Sequence, residues 1–140
     1  MSTLTVADYP LAETRPDLVK GKRGNTLADI SLDAVIGGQV TMEDLRITPE
    51  ALKSQAEISR AAGRPTLALN FERAAELVEV PQDFIMAVYE LLRPGRATSK
   101  QQLLDAAQTM REEHKAERIA RFIEEAAETY EGRGLFTFRY

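Results

Sequence analysis

The chain has 140 residues, a formal net charge of −4 at pH 7 and no cysteine. The lack of cysteine excludes disulfides and thiolate metal sites and favours a reducing compartment. The acidic balance, without a basic stripe, argues against nucleic-acid binding, and no apolar run approaches the roughly 20 residues that cross a bilayer. We therefore expect a soluble cytoplasmic protein. Frequent alanine and few β-branched runs predict an all-α fold.

Residues 1–25 differ from the rest of the chain. Two X-Pro steps, one of them at Tyr9-Pro10, favour extended backbone. The large apolar groups of this segment follow no helical or strand period, yet a disordered tail would be poor in them. We interpret the segment as an extended arm that lies either on the chain's own helices or on another protein. Tyr9, Pro10 and Leu11 are its candidate partner-binding residues.

Residues 26–47 carry the start signals of short helical turns. Thr26, Ser31 and Thr41 each stand where an N-cap would, with an acidic residue inside the first turn. A glycine pair ends the second turn, because glycine adopts the left-handed conformation at low cost. Helices this short are unstable alone, so we expect them to pack on other helices or on another subunit.

Longer helices follow, and most have their ends marked in the sequence. The first has Thr48 as its N-cap and Pro49 at its first position, and it ends at Gly63. The second covers about residues 66–78 and carries an amphipathic stripe. The members of that stripe are Leu67, Ala68, Phe71, Ala74, Ala75 and Val78.

The third helix begins at Pro81 and ends before a Pro-Gly pair. Ser99 and Gln102 match a capping box at the start of a fourth helix. The apolar stripe of that helix lapses over residues 111–117 and then resumes. Either one helix bends there, or two helices meet at a polar hinge near His114.

These elements predict an all-α fold, with a small helical domain of four to five main helices over residues 26–131. An extended N-terminal arm with short helices, residues 1–25, precedes that domain. Residues 132–140 form a C-terminal tail of alternating aromatic character. The tail either pairs as a short strand, packs on a partner or extends freely.

No pattern in the chain predicts a catalytic, cofactor-binding or metal site. His114 is the only histidine, and Arg111 stands where a Glu-x-x-His ligand pair would need glutamate. We interpret His114 as solvated or as a helix cap. The Gly-Lys-Arg-Gly turn at residues 21–24 lacks the P-loop pattern. Three basic residues, Lys115, Arg118 and Arg121, lie at spacings of three and four among several glutamates, which is typical of ordinary helix-face pairs and not of catalytic carboxylates. These glutamates are Glu112, Glu113, Glu124, Glu125 and Glu128.

Asn70, Phe71 and Arg73 form a second candidate partner-binding set. Phe71 belongs to the apolar stripe, whereas Asn70 and Arg73 are three residues apart and share the neighbouring face. Arg73 lies between two glutamates, which favours an intrahelical ion pair, but arginine is also enriched at protein interfaces. Both interpretations stay open.

An ordered series of motifs runs through most of the chain. Its members are Asp8-Tyr9-Pro10-Leu11-Ala12, Leu45-Arg46-Ile47-Thr48-Pro49-Glu50-Ala51-Leu52, Gln55-Ala56, Ala62-Gly63-Arg64, Asn70-Phe71-Glu72-Arg73-Ala74-Ala75-Glu76-Leu77, Val80-Pro81, Tyr89, Leu91, Arg93-Pro94 and Leu103-Leu104. This series resembles the small (gamma) subunit of adenosylcobalamin-dependent diol and glycerol dehydratases. The final GRGLFTFRY departs from the Lys-rich tail of that family. The segment before Asp8 is shorter than the extension of some diol-dehydratase small subunits, so we expect no microcompartment-targeting extension.

The resemblance implies a complex of large, medium and small subunits, assembled as a dimer of heterotrimers. In the family, the large subunit holds substrate and metal, and adenosylcobalamin lies between the large and medium subunits. Co–C homolysis gives an adenosyl radical, which abstracts hydrogen from a 1,2-diol or glycerol, and loss of water leaves an aldehyde. The family's catalytic and cobalamin-binding residues lie outside the small subunit, so we expect the isolated chain to be inactive.

Two functions follow from these observations. In the first, the chain is a non-catalytic subunit of such a hydro-lyase and supports assembly and stability of the large catalytic subunit. In the alternative, it is a free-standing helical adaptor or regulatory domain that binds a different protein.

Overall fold

A computed structural model of the chain describes residues 3–136, and over these residues the secondary structure is helical apart from an isolated β-bridge between Lys20 and Thr26. This confirms the predicted all-α fold. The chain divides into two compact units, Met1–Val78 and Glu79–Tyr140, which we call the N-terminal and C-terminal units. Their boundary lies inside the helical domain predicted from the sequence. The predicted limits of the arm and the tail stay predictions.

The N-terminal unit begins with short elements, as predicted. In chain order they are a 3-10 helix over Val6–Asp8, α1 over Leu11–Thr14, a 3-10 helix over Pro16–Leu18, a 3-10 helix over Leu27–Asp29, α2 over Leu32–Ile36 and α3 over Met42–Leu45. Tyr9 and Pro10, which lie between the first 3-10 helix and α1, are extended, each with ψ of 135°. Ser31 is the N-cap of α2, because its Oγ accepts a hydrogen bond from the Ala34 N–H at 3.2 Å.

The longer helices are α4 over Pro49–Ala61, α5 over Pro65–Leu77, α6 over Gln82–Leu92, α7 over Lys100–Glu112 and α8 over Glu117–Gly132. The predicted start of α4 is confirmed, since Thr48 Oγ1 accepts from the Ala51 N–H at 3.1 Å. Gly63, with φ of +73°, follows the helix in the left-handed conformation. The chain then turns into α5, and α4 packs along α5.

The capping box predicted at the start of α7 is half formed. Ser99 Oγ accepts from the Gln102 N–H at 3.4 Å, as the motif requires. The Gln102 side chain, however, accepts from the Thr98 N–H at 2.8 Å instead of from Ser99. Gln102 binds Thr98 instead of Ser99 because Thr98 offers two donors, its N–H and its hydroxyl, to the same Gln102 oxygen.

Two helices meet where the apolar stripe lapses, and a single bent helix is excluded. The linker between α7 and α8 contains Lys115, whose φ of 56° lies in the left-handed region that ends a helix. Its Nζ donates to the Glu112 carbonyl at 2.6 Å, which satisfies one of the free C=O groups at the end of α7.

The core of the C-terminal unit is the packed pair α7 and α8, and small side chains form much of it. The buried residues of the pair are Leu103, Ala106, Ala107, Met110, Ile119, Ala120, Ile123 and Ala127. Helix α6 packs on α7, and Tyr130 of α8 donates its hydroxyl proton to the Leu92 carbonyl at the end of α6. In the predicted tail, residues 132–140, the ring centroid of Phe136 lies 6.3 Å from that of Tyr130. Residues 137–140 of the tail lie outside the described residues.

Ion pairs cross from α7 to α8. Arg111 Nη1 and Nη2 bind the two oxygens of Glu124 at 2.7 and 2.9 Å, and its Nε binds Glu117 at 2.7 Å. The sequence-based assignment to helix-face pairs is therefore wrong for Glu124, because its partner Arg111 lies on the other helix. Arg121 and Glu117 do form an i,i+4 pair at 2.9 Å. Hydrogen bonds from Arg111 are the main cause that lowers the pKa of both glutamates.

The arm of the N-terminal unit is held by a small apolar core. Leu4, Leu11 and Ile58 of α4 are buried together, and Val19 packs against them. The Leu4 N–H donates to the Glu57 carboxylate of α4 at 3.0 Å. The arm therefore contacts a helix of its own chain, which is one of the two alternatives that the sequence left open.

A buried carboxylate fastens the turn at residues 20–26 to α3. The Asp44 side chain has no exposed surface, and its two oxygens accept from the Asn25 amide at 3.0 Å and the Thr41 N–H at 2.8 Å. Arg23 forms an ion pair with Asp44 at 3.4 Å and also donates to the Gln39 carbonyl at 3.0 Å. We call these four groups, Arg23, Asn25, Thr41 and Asp44, the Asp44 clamp.

We expect Asp44→Ala to lower the free energy of unfolding by about 3 kcal/mol, because donors in a buried site lose their acceptor. Asp29→Ala is the matched control, since Asp29 makes the same N-cap contacts to Thr26 at 2.8 and 2.9 Å but is exposed. Urea unfolding followed by circular dichroism measures both. Equal losses in the two variants would show that burial of Asp44 contributes nothing.

The pH dependence of stability tests the Arg111 pairs. The pKa values of Glu117 and Glu124 are lowered in the folded chain. The ion pairs therefore stabilise the fold at pH values above the unfolded glutamate pKa of about 4.3, and this stabilisation is lost as the pH falls through the lowered pKa values of the folded chain. We expect the melting temperature of Arg111→Gln to be lower than that of the native chain at pH 7, and the gap to narrow as the pH falls below the unfolded glutamate pKa of about 4.3. Arg121→Gln, which removes one exposed bond to Glu117, is the control and should show a smaller gap. A gap that does not change with pH would contradict the assignment.

Candidate partner-binding surface

The fold divides the first predicted partner-binding set. Tyr9 is 63% exposed and Pro10 is also exposed, so both face outward. Leu11 is 8% exposed and contacts Leu4 and Ile58. Leu11 therefore holds the arm on α4, whereas Tyr9 and Pro10 are available to another protein.

The second predicted set lies on α5. Asn70 is exposed, whereas Phe71 and Arg73 are half-buried. Asn70 and Arg73 share a face as predicted, because Arg73 Nη1 donates to Asn70 Oδ1 at 3.3 Å. The neighbouring Glu72 binds Arg60 of α4 at 2.6 Å, so it links the two helices. A partner-binding role for this set stays a prediction.

A larger group of exposed apolar side chains lies on the short elements between the arm and α4. Each member is between 47% and 75% exposed. The group, which we call the outer apolar set, consists of Leu27, Leu32, Val35, Ile36, Met42, Leu45 and Ile47. Sequence analysis did not select these residues, although it predicted that their helices need packing. The sequence did contain a signal for them, namely large apolar residues on or directly after helices of three to five residues, which are too short to bury all of them.

Two hollows open beside the outer apolar set. The arm hollow, about 250 Å³, is lined by Tyr9, Pro10, Leu18 and Val19 among others. The turn hollow, about 260 Å³, is lined by residues that include Leu27, Leu45 and Ile47 of the outer apolar set. Val19, Lys20 and Ala51 line both hollows. The N-terminal unit thus presents a concave apolar surface, which suits the anchoring side chains of a protein partner.

The remaining polar candidates do not converge on a reactive centre. Among residues 3–136, no group of three or more His, Cys, Asp or Glu side chains is placed to hold a metal ion. His114 is half-buried, and its ring centroid lies 5.3 Å from that of Phe84 with the planes tilted by 35°. Within the same described range, no helix combines the length and the apolar character that crossing a membrane requires.

Comparison with known sequences identifies the family. A sequence model described as dehydratase small subunit matches residues 4–137. The chain belongs to the dehydratase small-subunit family. The propanediol dehydratase small subunit of Citrobacter freundii is 48% identical over 128 residues, which are 91% of this chain and 74% of that protein. The propanediol dehydratase small subunit of Salmonella typhimurium is 48% identical over 125 residues, 89% of this chain and 72% of that protein.

Membership of the dehydratase small-subunit family confirms the resemblance read from the ordered motifs. The chain is therefore one component of a dehydratase, which is a lyase, and other subunits are its partners. Permanent interfaces between subunits are usually more apolar than the rest of the protein surface.

Leu11→Ala and Tyr9→Ala separate the two roles of the arm. Leu11→Ala should lower the free energy of unfolding by about 2–3 kcal/mol, because it leaves a cavity against Ile58. Tyr9→Ala should change it by about 0.5 kcal/mol or less, since Tyr9 is exposed. Tyr9→Ala should nevertheless weaken binding to the other subunits. Urea unfolding and co-purification measure the two effects, and the reverse pattern would show that Tyr9, not Leu11, holds the arm.

Proposed function

We propose that this chain is the non-catalytic small subunit of an adenosylcobalamin-dependent propanediol dehydratase that also accepts glycerol. The enzyme would convert propane-1,2-diol into propanal and water, and glycerol into 3-hydroxypropanal and water. The observation that carries the proposal is the 48% identity to two propanediol dehydratase small subunits over about nine-tenths of this chain. We assign the assembly to the cytoplasm as part of the same proposal, since the chain has no cysteine.

The chemistry of the proposed enzyme belongs to its other subunits. Adenosylcobalamin does not fit either of these two hollows, because their volumes of about 250 and 260 Å³ are smaller than the roughly 300–1,000 Å³ pockets of drug-sized ligands. The cofactor is larger than such ligands. We therefore derive no step of the reaction through this chain and propose that the large and medium subunits hold the cofactor.

The proposed contribution of this chain is to support assembly and stability of the large catalytic subunit. The outer apolar set supports this role, since seven large side chains that are about half to three-quarters exposed would leave water when a partner covers them. A partner that binds the folded small subunit would also stabilise it by mass action. We propose a complex of large, medium and small subunits arranged as a dimer of heterotrimers.

Co-expression tests the proposal. The three chains are produced together with an affinity tag on the large subunit, and aldehyde formation from propane-1,2-diol and from glycerol is measured with added adenosylcobalamin. We expect this chain to co-purify, to be inactive alone, and to raise either the yield of the complex or its half-life on heating at least severalfold over a preparation without it.

The same co-expression experiment has an outcome that would contradict the proposal. A chain that elutes alone as a folded monomer, and whose omission changes neither yield, half-life nor turnover of the other two subunits, would remove the subunit proposal. That result would favour the free-standing helical adaptor. The oligomeric mass of the purified complex, measured by analytical ultracentrifugation, checks the dimer of heterotrimers independently of activity.

A further inference from the structure

The turn at residues 20–26 and the helix α3 share one carboxylate. Asp44 Oδ2 accepts from the Thr41 N–H at 2.8 Å, which forms the capping box at the start of α3. The other oxygen, Oδ1, accepts from the Asn25 side-chain amide at 3.0 Å and lies 3.4 Å from Arg23 Nε. One oxygen therefore holds the helix and the other holds the turn, so a displacement of the Asp44 side chain breaks both sets of bonds.

Two 3-10 helices of the chain carry the same capping box without this second connection. Asp8 accepts from the Thr5 N–H at 2.7 Å, and Asp29 accepts from the Thr26 N–H at 2.8 Å. Neither aspartate is buried, whereas the Asp44 side chain has no exposed surface and also bonds a residue 19 positions earlier. A buried carboxylate that loses a donor is left without water to replace it, so its bonds are costly to break. The Asp44 box is therefore more than a local helix cap.

The backbone of the turn also lies against α3. A Cβ on Gly21 would be 2.8 Å from the Asp44 carbonyl oxygen, so the two backbones are in close contact. Within the turn, the Gly21 N–H donates to the Asn25 carbonyl at 2.8 Å, and the Gly24 N–H donates to the Gly21 carbonyl at 2.9 Å. The turn is thus closed by its own hydrogen bonds and packs on α3 as one piece.

The turn hollow is lined by the two segments that Asp44 joins. Its lining comes from residues 19–30, which include the turn, and from residues 44–51, which begin at Asp44 itself. Leu27 belongs to the first segment, and Leu45 and Ile47 belong to the second. The hollow therefore requires that the two segments stay together.

We propose that the Asp44 clamp is a latch: the turn at residues 20–26 and α3 open and close as one unit, and the turn hollow exists only in the closed form. Helix α3 has four residues, too few for a stable helix without tertiary support, so release of the turn also releases the helix. Opening separates Leu27 from Leu45 and Ile47. The latch thus decides whether these three members of the outer apolar set line one surface. It is a property of this chain by itself and does not depend on the proposed function.

Amide hydrogen exchange of the full chain, resolved by NMR, tests the latch. The Gly24 N–H reports on the turn, and the Thr41 N–H, which donates to Asp44, reports on α3. We expect both amides to have the same opening constant, because one opening exposes both. That constant should be at least about tenfold larger than the constant of amides in the middle of α4, since α4 stays folded when the latch opens.

Asn25→Ala removes the bond between the turn and Asp44 and leaves the sequence of α3 unchanged. Exchange of the Gly24 and Thr41 amides should each become roughly tenfold faster, because the lost bond is made to a charged group. Asn70→Ala is the matched control, since it removes an asparagine side chain that bonds Arg73 on α5 of the same unit. It should leave both exchange rates at their native values.

Gly21→Ala opens the latch by steric means, and a distance measurement detects the opening. The added methyl group would meet the Asp44 carbonyl oxygen at 2.8 Å, so the turn has to move away from α3. Gly132→Ala is the matched control, because a Cβ at that last residue of α8 meets no described atom within 4 Å. The chain has no cysteine, so Ala28→Cys and Met42→Cys, both at exposed positions, take a pair of spin labels selectively. We expect a longer and broader label-to-label distance in Gly21→Ala and the native distance in Gly132→Ala.

Three results would overturn the latch. If Asn25→Ala accelerates exchange at Gly24 while Thr41 keeps its native rate, the turn opens without α3. If the Thr41 amide of the native chain exchanges only as slowly as the amides in the middle of α4, the segment has no opening of its own. If the label-to-label distance in Gly21→Ala is native, the turn does not leave α3. Co-purification with the other dehydratase subunits plays no part in these measurements, so the proposed function stands or fails separately.

Discussion

The surface of the N-terminal unit depends on one buried carboxylate, that of Asp44. Its oxygens receive donors from the nearby Thr41 and from Asn25, which is 19 positions earlier, so the turn at residues 20–26 is fastened to α3 by polar bonds. Gly21 of this turn passes so close that a Cβ there would lie 2.8 Å from the Asp44 carbonyl oxygen. Polar fastening replaces apolar burial in this segment. The large apolar side chains nearby are therefore not needed inside and can face a partner.

The two units are stabilised by different kinds of contact. The C-terminal unit buries a continuous seam between α7 and α8 and closes it with charged contacts: Lys100 pairs with Glu128 and Glu131 toward one end, and Arg111 bridges toward the other. The N-terminal unit has a compact helix pair, α4 and α5, preceded by segments that leave much apolar surface exposed. Among the described residues, the exposed large apolar side chains therefore lie mainly on the N-terminal unit, although Met86, Tyr89 and Phe122 of the C-terminal unit are exposed as well.

The sequence predicted those features that local residues determine. The cap at Thr48, the helix end at Gly63 and the N-caps of the short turns depend on neighbours within a few positions, and the structure confirms them. The opposite fates of Tyr9 and Leu11 depend on α4, which lies some 50 residues further along the chain, so no local pattern distinguishes them. The bridge from Arg111 to Glu124 was missed for the same reason.

The candidate surface was predicted only in outline. The ordered motifs led to the family, and the instability of very short helices led to the expectation of a partner, but neither names the residues that face outward. The Asp44 clamp joins α3 to the turn at residues 20–26, and which side of α3 turns inward depends on it. Such a clamp joins residues 19 positions apart, and in the sequence its members resemble an ordinary N-cap and an ordinary loop.

Alanine side chains fill much of the buried contact between α7 and α8 in the C-terminal unit. Alanine has no side-chain rotamers to lose on burial, so the fully buried Ala107, Ala120 and Ala127 order α7 and α8 without that entropic cost. The long side chains of the outer apolar set keep their rotamer freedom until something covers them. The side-chain entropy that this chain has still to lose therefore lies mainly in the N-terminal unit.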